Sequence, residues 1–196
     1  QAKSFFVNPD ATETVKRRLT ARKTVDMLTE IATLGAGCFW CVEAVFSSLA
    51  GVTTVQVGYS NGLTNDPTYE SVCGGATGYA EVAQISFNPS IITFQEILEH
   101  FFITHDPTTL NKQGGDAGTQ YRSGIFYHSE QQRGIALKYI KHLDAKKIFK
   151  DPIVTELSEI QNYHVAENYH QDYYENNKTA PYCMFVIKPK LEKLKK

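Results

Sequence analysis

The stretch GAGCFWCVE at Gly35–Glu43 marks the point where a strand gives way to a helix. An apolar run, Ile31–Ala36, leads into it, and Cys38–Leu49 carries apolar residues at helical spacing. Cys38 therefore stands at the predicted N-terminus of a helix. There the helix dipole and the unpaired N–H groups lower a thiol pKa from about 8.5 toward neutrality. The sequence predicts a reactive thiolate at Cys38, with an apolar wall made by the two aromatic residues that follow.

Strand and helix patterns alternate along the rest of the chain. Two long loops, Ser60–Gly75 and Asp106–Gln120, interrupt them, and loops of about fifteen residues inside a compact domain are usually functional. Because hairpin-like neighbours argue against a doubly wound parallel sheet, we expect an α+β fold. It would be a ferredoxin-like α/β sandwich with a mixed or antiparallel sheet and long active-site loops. The predicted strands are 31–36, 52–59, 79–87, 123–128 and 153–157. The predicted helices are 38–49, 93–102, 129–149 and 163–176. Residues 183–187 are predicted to be extended.

Composition limits the class of protein. The chain has 196 residues, 42% hydrophobic and 21% charged, which suits one domain with a sizeable core. A formal net charge of −1 argues against generic attraction to nucleic acid or to anionic membranes. No uninterrupted apolar run reaches the length of a membrane-spanning helix. We expect an N-terminal arm at residues 1–28, a catalytic domain at 29–187 and a basic C-terminal tail at 188–196.

Four cysteines, Cys38, Cys41, Cys73 and Cys183, are too few for a disulfide-stapled domain. We expect Cys73 to be a buried structural thiol. The C-x-x-C of Cys38 and Cys41 leaves three alternatives open: a thioredoxin-like oxidoreductase, a zinc site and a nucleophilic cysteine hydrolase. Against them, the aromatic pair lies between the cysteines, no second close pair of Cys or His completes a zinc site, and no His/Asn motif supports a hydrolase.

Six motifs follow one another between residues 31 and 187. They are GCFW at 37–40, GYSNG at 58–62, YE at 69–70, GYAEV at 78–82, GTQYRS at 118–123 and YHQDY at 169–173. Together they resemble peptide methionine sulfoxide reductase, type A, over most of the chain. One residue departs from the family pattern, because the family usually has His where this chain has Tyr79. No role is therefore assigned to that side chain.

The resemblance implies a nucleophilic attack by Cys38 on the sulfur of a methionine sulfoxide. Phe39 and Trp40 would hold the methyl group of the substrate. The products would be methionine and a sulfenic acid on Cys38, the first step of thiol oxidation. Type A enzymes act on the S epimer, and because they contact the surrounding peptide little, free and protein-bound methionine sulfoxide are both expected substrates.

The resemblance also implies how the oxygen of the sulfoxide leaves. Glu81 would supply the proton, helped by Tyr69 and Tyr121, and its pKa must then be raised by a poorly solvated pocket. Asp116 matches a family residue that helps to position water and substrate. Two further residues, His170 and Tyr173, match family residues near the pocket, and His170 is expected to satisfy a partly buried hydrogen bond.

The sulfenic acid must then be removed by a second thiol, which forms a disulfide that thioredoxin reduces. Tyr182-Cys183 resembles the C-terminal resolving cysteine of many family members, so Cys183 is the predicted partner. Cys41 is the alternative, although a disulfide within one helical turn is geometrically restrictive. Cys73 is the third candidate.

The resemblance implies no bound cofactor and no metal. We expect a monomer whose partners are methionine sulfoxide, free or in proteins, and thioredoxin. Nucleic acid and membranes are not expected partners. We expect a cytoplasmic protein, with the periplasm or export as the alternative because the chain starts at Gln1 rather than Met.

Overall fold

The computed structural model describes residues 29–194, which form a six-stranded sheet with helices packed on it. The strands of this sheet are β1 (Glu30–Ala36), β2 (Val52–Ser60), β3 (Ala80–Phe87), β6 (Ser123–Tyr127), β7 (Glu156–Glu159) and β8 (His164–Val165). Strands β4 (Lys112–Gln113) and β5 (Asp116–Ala117) form a separate hairpin. Its α-helices are α1 (Phe39–Ser47), α2 (Tyr69–Cys73), α3 (Phe94–Thr104), α4 (Glu130–Ala145), α5 (Tyr173–Asn176) and α6 (Lys188–Lys193). Single turns of 3₁₀ helix lie at Thr119–Tyr121 and Asn168–His170, and Cys183–Ile187 is a π-helix.

The sheet confirms the predicted α+β fold. Its strand order is β7-β6-β1-β3-β2-β8, and every pair is antiparallel except β6 with β7. The central part, β1-α1-β2-β3-α3-β6 along the chain, is the split βαβ arrangement of ferredoxin-like folds. Because β1 and β3 are antiparallel neighbours, the end of β1 and the first residues of β3 lie side by side. The chain that follows β1 therefore starts next to the first residues of β3.

The main core lies between the sheet and the helices α1, α3 and α4. Alternate residues of β1, Ala32 and Leu34, are fully buried and pack with Phe46 of α1 and Phe101 of α3. Each large apolar side chain buried in this way contributes about 1.5–3 kcal/mol to stability. Helix α1 is thereby fixed on the sheet, and with it the position of its N-terminus. Within residues 29–194, no helix has both the length and the apolar character that a bilayer crossing requires.

The predicted helix at 163–176 is wrong. Residues 164–165 instead pair with β2, and the side chain of Gln171 bonds to both the N–H and the carbonyl of Val57. The backbone at Asp172 then turns left-handed, with φ 53°, which ends any continuous helix. Long-range pairing with β2 therefore outweighs the local helical pattern, and only the four residues of α5 are α-helical.

The C-terminal segment also differs from the prediction. Residues 183–187 form a π-helix rather than an extended piece, because Cys183 and Ile187 are both buried at a helical spacing. The helix continues into α6, so the described part of the predicted basic tail is helical, and Leu191 packs against the core. Helix α4 ends at Ala145 rather than near Phe149. The predicted N-terminal arm at 1–28 lies outside the described residues.

Gly37 makes the turn from β1 into α1. Its φ of +83° is a left-handed conformation, and a Cβ there would lie 2.6 Å from the Cβ and Cγ of Gln113. Gly37→Ala is therefore expected to lower the free energy of unfolding by about 1–3 kcal/mol, measured by urea denaturation. The matched control is Gly134→Ala in α4, where nothing lies within 4 Å of the new Cβ. That substitution should instead stabilise by about 0.5–1 kcal/mol, and a loss at both positions would contradict this account of Gly37.

Candidate active site

The N-terminus of α1 and the start of β3 bring a thiol and a carboxyl group together. Cys38 is the N-cap of α1, and the backbone N–H of Phe39 donates a hydrogen bond of 3.1 Å to Oε2 of Glu81. Both residues are nearly enclosed, since Cys38 is 8% and Glu81 1% exposed. The first turn of the helix thus offers its free N–H to a buried acid beside the thiol.

The carboxyl group of Glu81 carries its proton at neutral pH. Burial raises its pKa to about 8, the hydrogen bond from Phe39 opposes the shift, and the charges of Asp116 and Cys41 add to it. One oxygen, Oε2, is held by the helix, whereas Oε1 is buried without a hydrogen-bond partner among the described residues. A buried, unpartnered carboxyl oxygen is what a general acid needs before its substrate arrives.

The pKa of Cys38 differs from the prediction. Burial raises it well above the ordinary value, and the side chain of Cys41 and the charge of Glu81 raise it further. The local rule that a helix N-terminus lowers a thiol pKa does not predict this direction, because it leaves out the desolvation of a buried thiolate. The resting thiol of Cys38 is therefore protonated at neutral pH.

Two predicted tyrosines, Tyr69 and Tyr121, lie near enough to the same carboxyl group for its charge to act on them. Burial raises the pKa of Tyr69 and of Tyr121, and the charge of Glu81 contributes to both shifts. Both hydroxyls therefore keep their protons at any physiological pH and serve only as hydrogen-bond donors or neutral acceptors. This suits groups that stabilise an oxygen as it gains negative charge.

Phe39 and Trp40 form an aromatic cluster. The ring of Trp40 stacks on Tyr173 with centroids 3.7 Å apart and planes 7° from parallel. Its indole N–H donates to Nδ1 of His170 over 3.1 Å. Phe39 is buried and lies with its ring 5.0 Å from that of His170. The cluster therefore has little freedom to rearrange.

Glu43 supports this cluster, and the sequence analysis did not identify it. Its two carboxylate oxygens accept hydrogen bonds from the backbone N–H groups of Asp172 (2.7 Å) and Tyr173 (3.0 Å). Burial raises its pKa to about 7, although both hydrogen bonds oppose the shift. A signal was present, because Glu43 lies four residues after Phe39 and so shares its apolar helix face.

Glu43→Gln is expected to loosen the stack of Tyr173 on Trp40. The amide keeps one acceptor oxygen but turns its NH₂ group toward a backbone N–H that then lacks a partner. We expect a loss of about 1–3 kcal/mol in unfolding free energy and a higher KM for the substrate. The control is Glu175→Gln, an exposed position whose ion pair is on the surface. Equal effects of the two substitutions would contradict the supporting role.

Tyr182 is a second residue that the sequence analysis did not identify as part of the site. Its hydroxyl donates to Oδ2 of Asp116 over 2.9 Å and lies 3.8 Å from Sγ of Cys41. Its ring meets Trp40 edge-on, with centroids 5.8 Å apart. Asp116, on the short strand β5, is thus joined to the thiols through a tyrosine rather than by direct contact.

The other cysteines occupy different surroundings. Cys183 is fully buried and shares an apolar cluster with Cys38 and Cys41. Cys73, which we expected to be buried, is exposed because it ends the short helix α2 in a surface loop. All four cysteines are free thiols. Within the described part of the chain, no group of three or more metal-ligating side chains could hold a metal ion.

Tyr79, where the family usually has His, is a packing residue. It is 1% exposed, and its hydroxyl donates to the carbonyl of Thr64 over 2.6 Å. Its ring fills the space beside Gly62, where a Cβ would lie 2.2 Å away. Tyr79 therefore fixes the loop after β2.

The chain is similar to known enzymes over nearly all of its described length. The family model described as peptide methionine sulfoxide reductase matches residues 30–196. The peptide methionine sulfoxide reductase MsrA of Trichodesmium erythraeum is 53% identical over 163 residues, which cover 83% of this chain and 92% of that protein.

Solved structures of methionine sulfoxide reductases are also similar to this chain. The reduced form of Mxr1 from Saccharomyces cerevisiae has a TM-score of 0.75 and 39% identity, covering 80% of this chain and 90% of that one. Mxr1 in complex with Trx2 has a TM-score of 0.53 and 29% identity, covering 75% of this chain and 86% of that one. Since the family model spans far more than half of the sequence, and its motif cysteine lies beside a buried acid, the chain belongs to the peptide methionine sulfoxide reductase family.

Proposed function

We propose that this protein reduces methionine S-sulfoxide, free or within proteins, to methionine and so repairs oxidative damage. The observation that carries the proposal is a buried thiol, Cys38, beside a carboxyl group, Glu81, that is protonated at neutral pH and has one unpartnered oxygen. Family membership supports the same reaction.

The chemistry follows from these two groups. Glu81 donates its proton to the sulfoxide oxygen, which makes the sulfur more electrophilic. The carboxylate that remains accepts the thiol proton of Cys38 as its sulfur attacks. The attack joins the two sulfur atoms, and the sulfur–oxygen bond of the substrate breaks to release hydroxide. Hydroxide then adds to the sulfur of Cys38 as the sulfur–sulfur bond breaks, so methionine leaves and Cys38 becomes a sulfenic acid. The substrate sulfur gains two electrons, the cysteine sulfur loses two, and Glu81 ends protonated as it began.

Substrate orientation is proposed to come from the aromatic cluster and the tyrosines. Phe39 and Trp40 give the methyl group an apolar wall, while Tyr69 and Tyr121 take the oxygen. A fixed methyl site and a separate fixed oxygen site allow only one sulfoxide epimer to place both groups correctly. The resemblance to type A enzymes indicates that this epimer is the S form.

The second half of the cycle is proposed to use a disulfide and thioredoxin. A thiol of this chain replaces the hydroxyl of the sulfenic acid, and thioredoxin reduces the disulfide by exchange. Cys183 remains the predicted partner in the disulfide that thioredoxin reduces. The complex of the yeast relative with Trx2 supports this reductant. We also propose that the protein works in a reducing compartment such as the cytoplasm, where thiols are kept reduced.

Incubation with each sulfoxide epimer tests the function. With thioredoxin, thioredoxin reductase and NADPH, the S epimer should be converted to methionine with consumption of NADPH. The R epimer should be reduced at least about 100-fold more slowly, because its methyl and oxygen groups exchange places. Equal rates for both epimers, or none with the S epimer, would refute the proposal.

A further inference from the structure

Glu167 lies just after strand β8 and takes no part in the proposed chemistry. Its carboxylate oxygens contact three residues beside the active site: Tyr59, Tyr69 and His170. We propose that Glu167 is a positioning residue, which holds Tyr69 where its hydroxyl meets the oxygen of the sulfoxide. The inference rests on the proposed function, because it needs Tyr69 to take that oxygen.

One oxygen of Glu167 holds the start of helix α2. The backbone N–H of Tyr69 donates a hydrogen bond of 2.9 Å to Oε1 of Glu167. Tyr69 is the first residue of that helix, so its N–H has no acceptor within the helix. The N-cap residue, Thr68, accepts from the N–H of Ser71 instead. Glu167 therefore supplies the acceptor that fixes the backbone of Tyr69, and with it the point from which the side chain extends.

The other oxygen of Glu167 is held by the sheet. Tyr59 is fully buried in β2, and its hydroxyl donates to Oε2 of Glu167 over 2.8 Å. Tyr59 lies directly opposite Glu81 in the antiparallel pairing of β2 with β3. Residues opposite each other in such a pair project from the same face of the sheet. The carboxylate of Glu167 thus connects Tyr69 to a side chain that neighbours Glu81.

His170 is the third residue that Glu167 reaches. Burial lowers the pKa of His170, and the charge of Glu167 opposes the shift, so the ring is neutral at neutral pH. Because Nδ1 accepts the indole N–H of Trp40, the ring proton is on Nε2. Nε2 lies 3.9 Å from Oε2 of Glu167, which is too long for a hydrogen bond. The rings of Tyr69 and His170 are 4.4 Å apart, so a displaced Tyr69 would also disturb the aromatic cluster.

Glu167 is ionised at neutral pH. Burial acts to raise its pKa, but hydrogen bonds from the N–H of Tyr69, from its own N–H and from the hydroxyl of Tyr59 act against burial, so its pKa lies below the ordinary value. A carboxylate accepts at both oxygens, so it holds an N–H and an O–H at the same time. Its side chain is 34% exposed, and water therefore screens its charge. We attribute the positioning to the reach of the two oxygens rather than to the charge.

A double-mutant cycle with Tyr69 tests the inference. Glu167→Ala should slow the release of methionine in a single turnover at saturating sulfoxide by about 10- to 100-fold, because a small misplacement of a catalytic group costs that much. Tyr69→Phe should slow it at least as much, because the hydroxyl itself is lost. In the Tyr69→Phe background, Glu167→Ala should slow the release by less than about threefold, since no hydroxyl is left to position. Equal factors in the two backgrounds would overturn the inference.

The free energy of unfolding provides a readout of the structural role alone. The backbone N–H of Tyr69 is still present in Tyr69→Phe, so Glu167→Ala should destabilise both backgrounds to the same extent in urea denaturation. The effect on stability should therefore persist in the background in which the effect on the rate disappears. A rate that falls with stability in both backgrounds would mean that Glu167 only supports the fold.

Two conservative variants separate reach from charge. In Glu167→Gln, the amide oxygen can accept from the N–H of Tyr69 while the NH₂ group donates to the hydroxyl oxygen of Tyr59. This variant should release methionine within about threefold of the wild-type rate. Glu167→Asp keeps the charge but is shorter by one CH₂ group, so it should behave like Glu167→Ala, and it repeats the cycle if Glu167→Ala does not fold. Glu167→Gln slowed as much as Glu167→Asp would contradict the proposed role.

The matched control is Glu70→Ala. Glu70 is an exposed acid in the first turn of α2, next to Tyr69 in the sequence. Its removal should leave the release of methionine at the wild-type rate. A loss as large as that of Glu167→Ala would mean that any acid near this helix has the same effect, and Glu167 would lose its specific role.

The wild-type protein separates this test from that of the function. If the wild type releases no methionine from the S epimer, the proposed function fails. If the wild type releases methionine but Tyr69→Phe does so equally fast, the function stands. Glu167 then has no hydroxyl to position, and only this inference fails.

Discussion

Cys38→Ser is expected to lower the rate of sulfoxide reduction by at least about 10⁴-fold. The hydroxyl that replaces the thiol is far less nucleophilic and cannot form a sulfenic acid. The surroundings that raise the pKa of Cys38 would disfavour an alkoxide even more strongly. The residual rate should not rise with added thioredoxin, since no disulfide can form at residue 38.

The measurement is the release of methionine in a single turnover, which needs no reductant. Serine is close in size to cysteine, so the small exposed fraction of residue 38 and the packing of α1 should change little. A urea unfolding curve that matches wild type would show this. Methionine release at more than about one hundredth of the wild-type rate would move the nucleophile to another sulfur.

Local patterns predicted the elements that carry the two central groups. The strand before Gly37 and the helix after it were readable because apolar residues recur at spacings of two and of three or four. Glu81 fell on a strand with good alternation, and that strand pairs with β1. The resemblance assigned Cys38 and Glu81 to one reaction. The antiparallel pairing of β1 with β3 brings them to the same end of these two strands.

Contacts between distant parts of the chain could not be predicted in this way. Glu43 holds residues 172 and 173 across some 130 positions of sequence. Tyr182 joins Asp116 across 66 positions. In neither contact does the spacing or the composition of the sequence indicate which residues will meet. The helix predicted at 163–176 failed for the same reason, because the hydrogen bonds of Gln171 go to β2 rather than along a helix.

The pKa of Cys38 could not be predicted from the sequence either. A sequence gives the position of a thiol relative to its own helix but not how deeply that helix end is buried. The dipole of a helix of nine residues favours the thiolate of Cys38, whereas burial, the largest cause of its raised pKa, favours the thiol. In the proposed mechanism the proton that the thiol retains goes to the carboxylate of Glu81, after Glu81 has given its own proton to the sulfoxide oxygen.

Glu81→Gln is expected to slow the release of methionine by about 10²–10⁴-fold. The amide oxygen can still accept the hydrogen bond from Phe39, so the start of α1 keeps its position. What is lost is the proton for the departing oxygen. Cys38 should remain reactive toward iodoacetamide, and the free energy of unfolding should stay within about 1 kcal/mol of wild type.

The pH dependence makes the test sharper. Glu81 donates only while protonated, and its pKa is raised to about 8. The wild-type single-turnover rate should therefore be constant below about pH 7 and fall up to about tenfold per unit above pH 8. The Cys38 thiol is still protonated in that range, since its own pKa is raised well above the usual value.

The Glu81→Gln variant should show the opposite slope. With neither acid nor base at residue 81, its residual reaction depends on the Cys38 thiolate alone, and the fraction of that thiolate increases with pH. The residual rate should therefore rise through the same range in which the wild-type rate falls, and the two profiles should converge at high pH. Parallel profiles would mean that the decline above pH 8 comes from another group, and Glu81 would then lose its role as the proton donor.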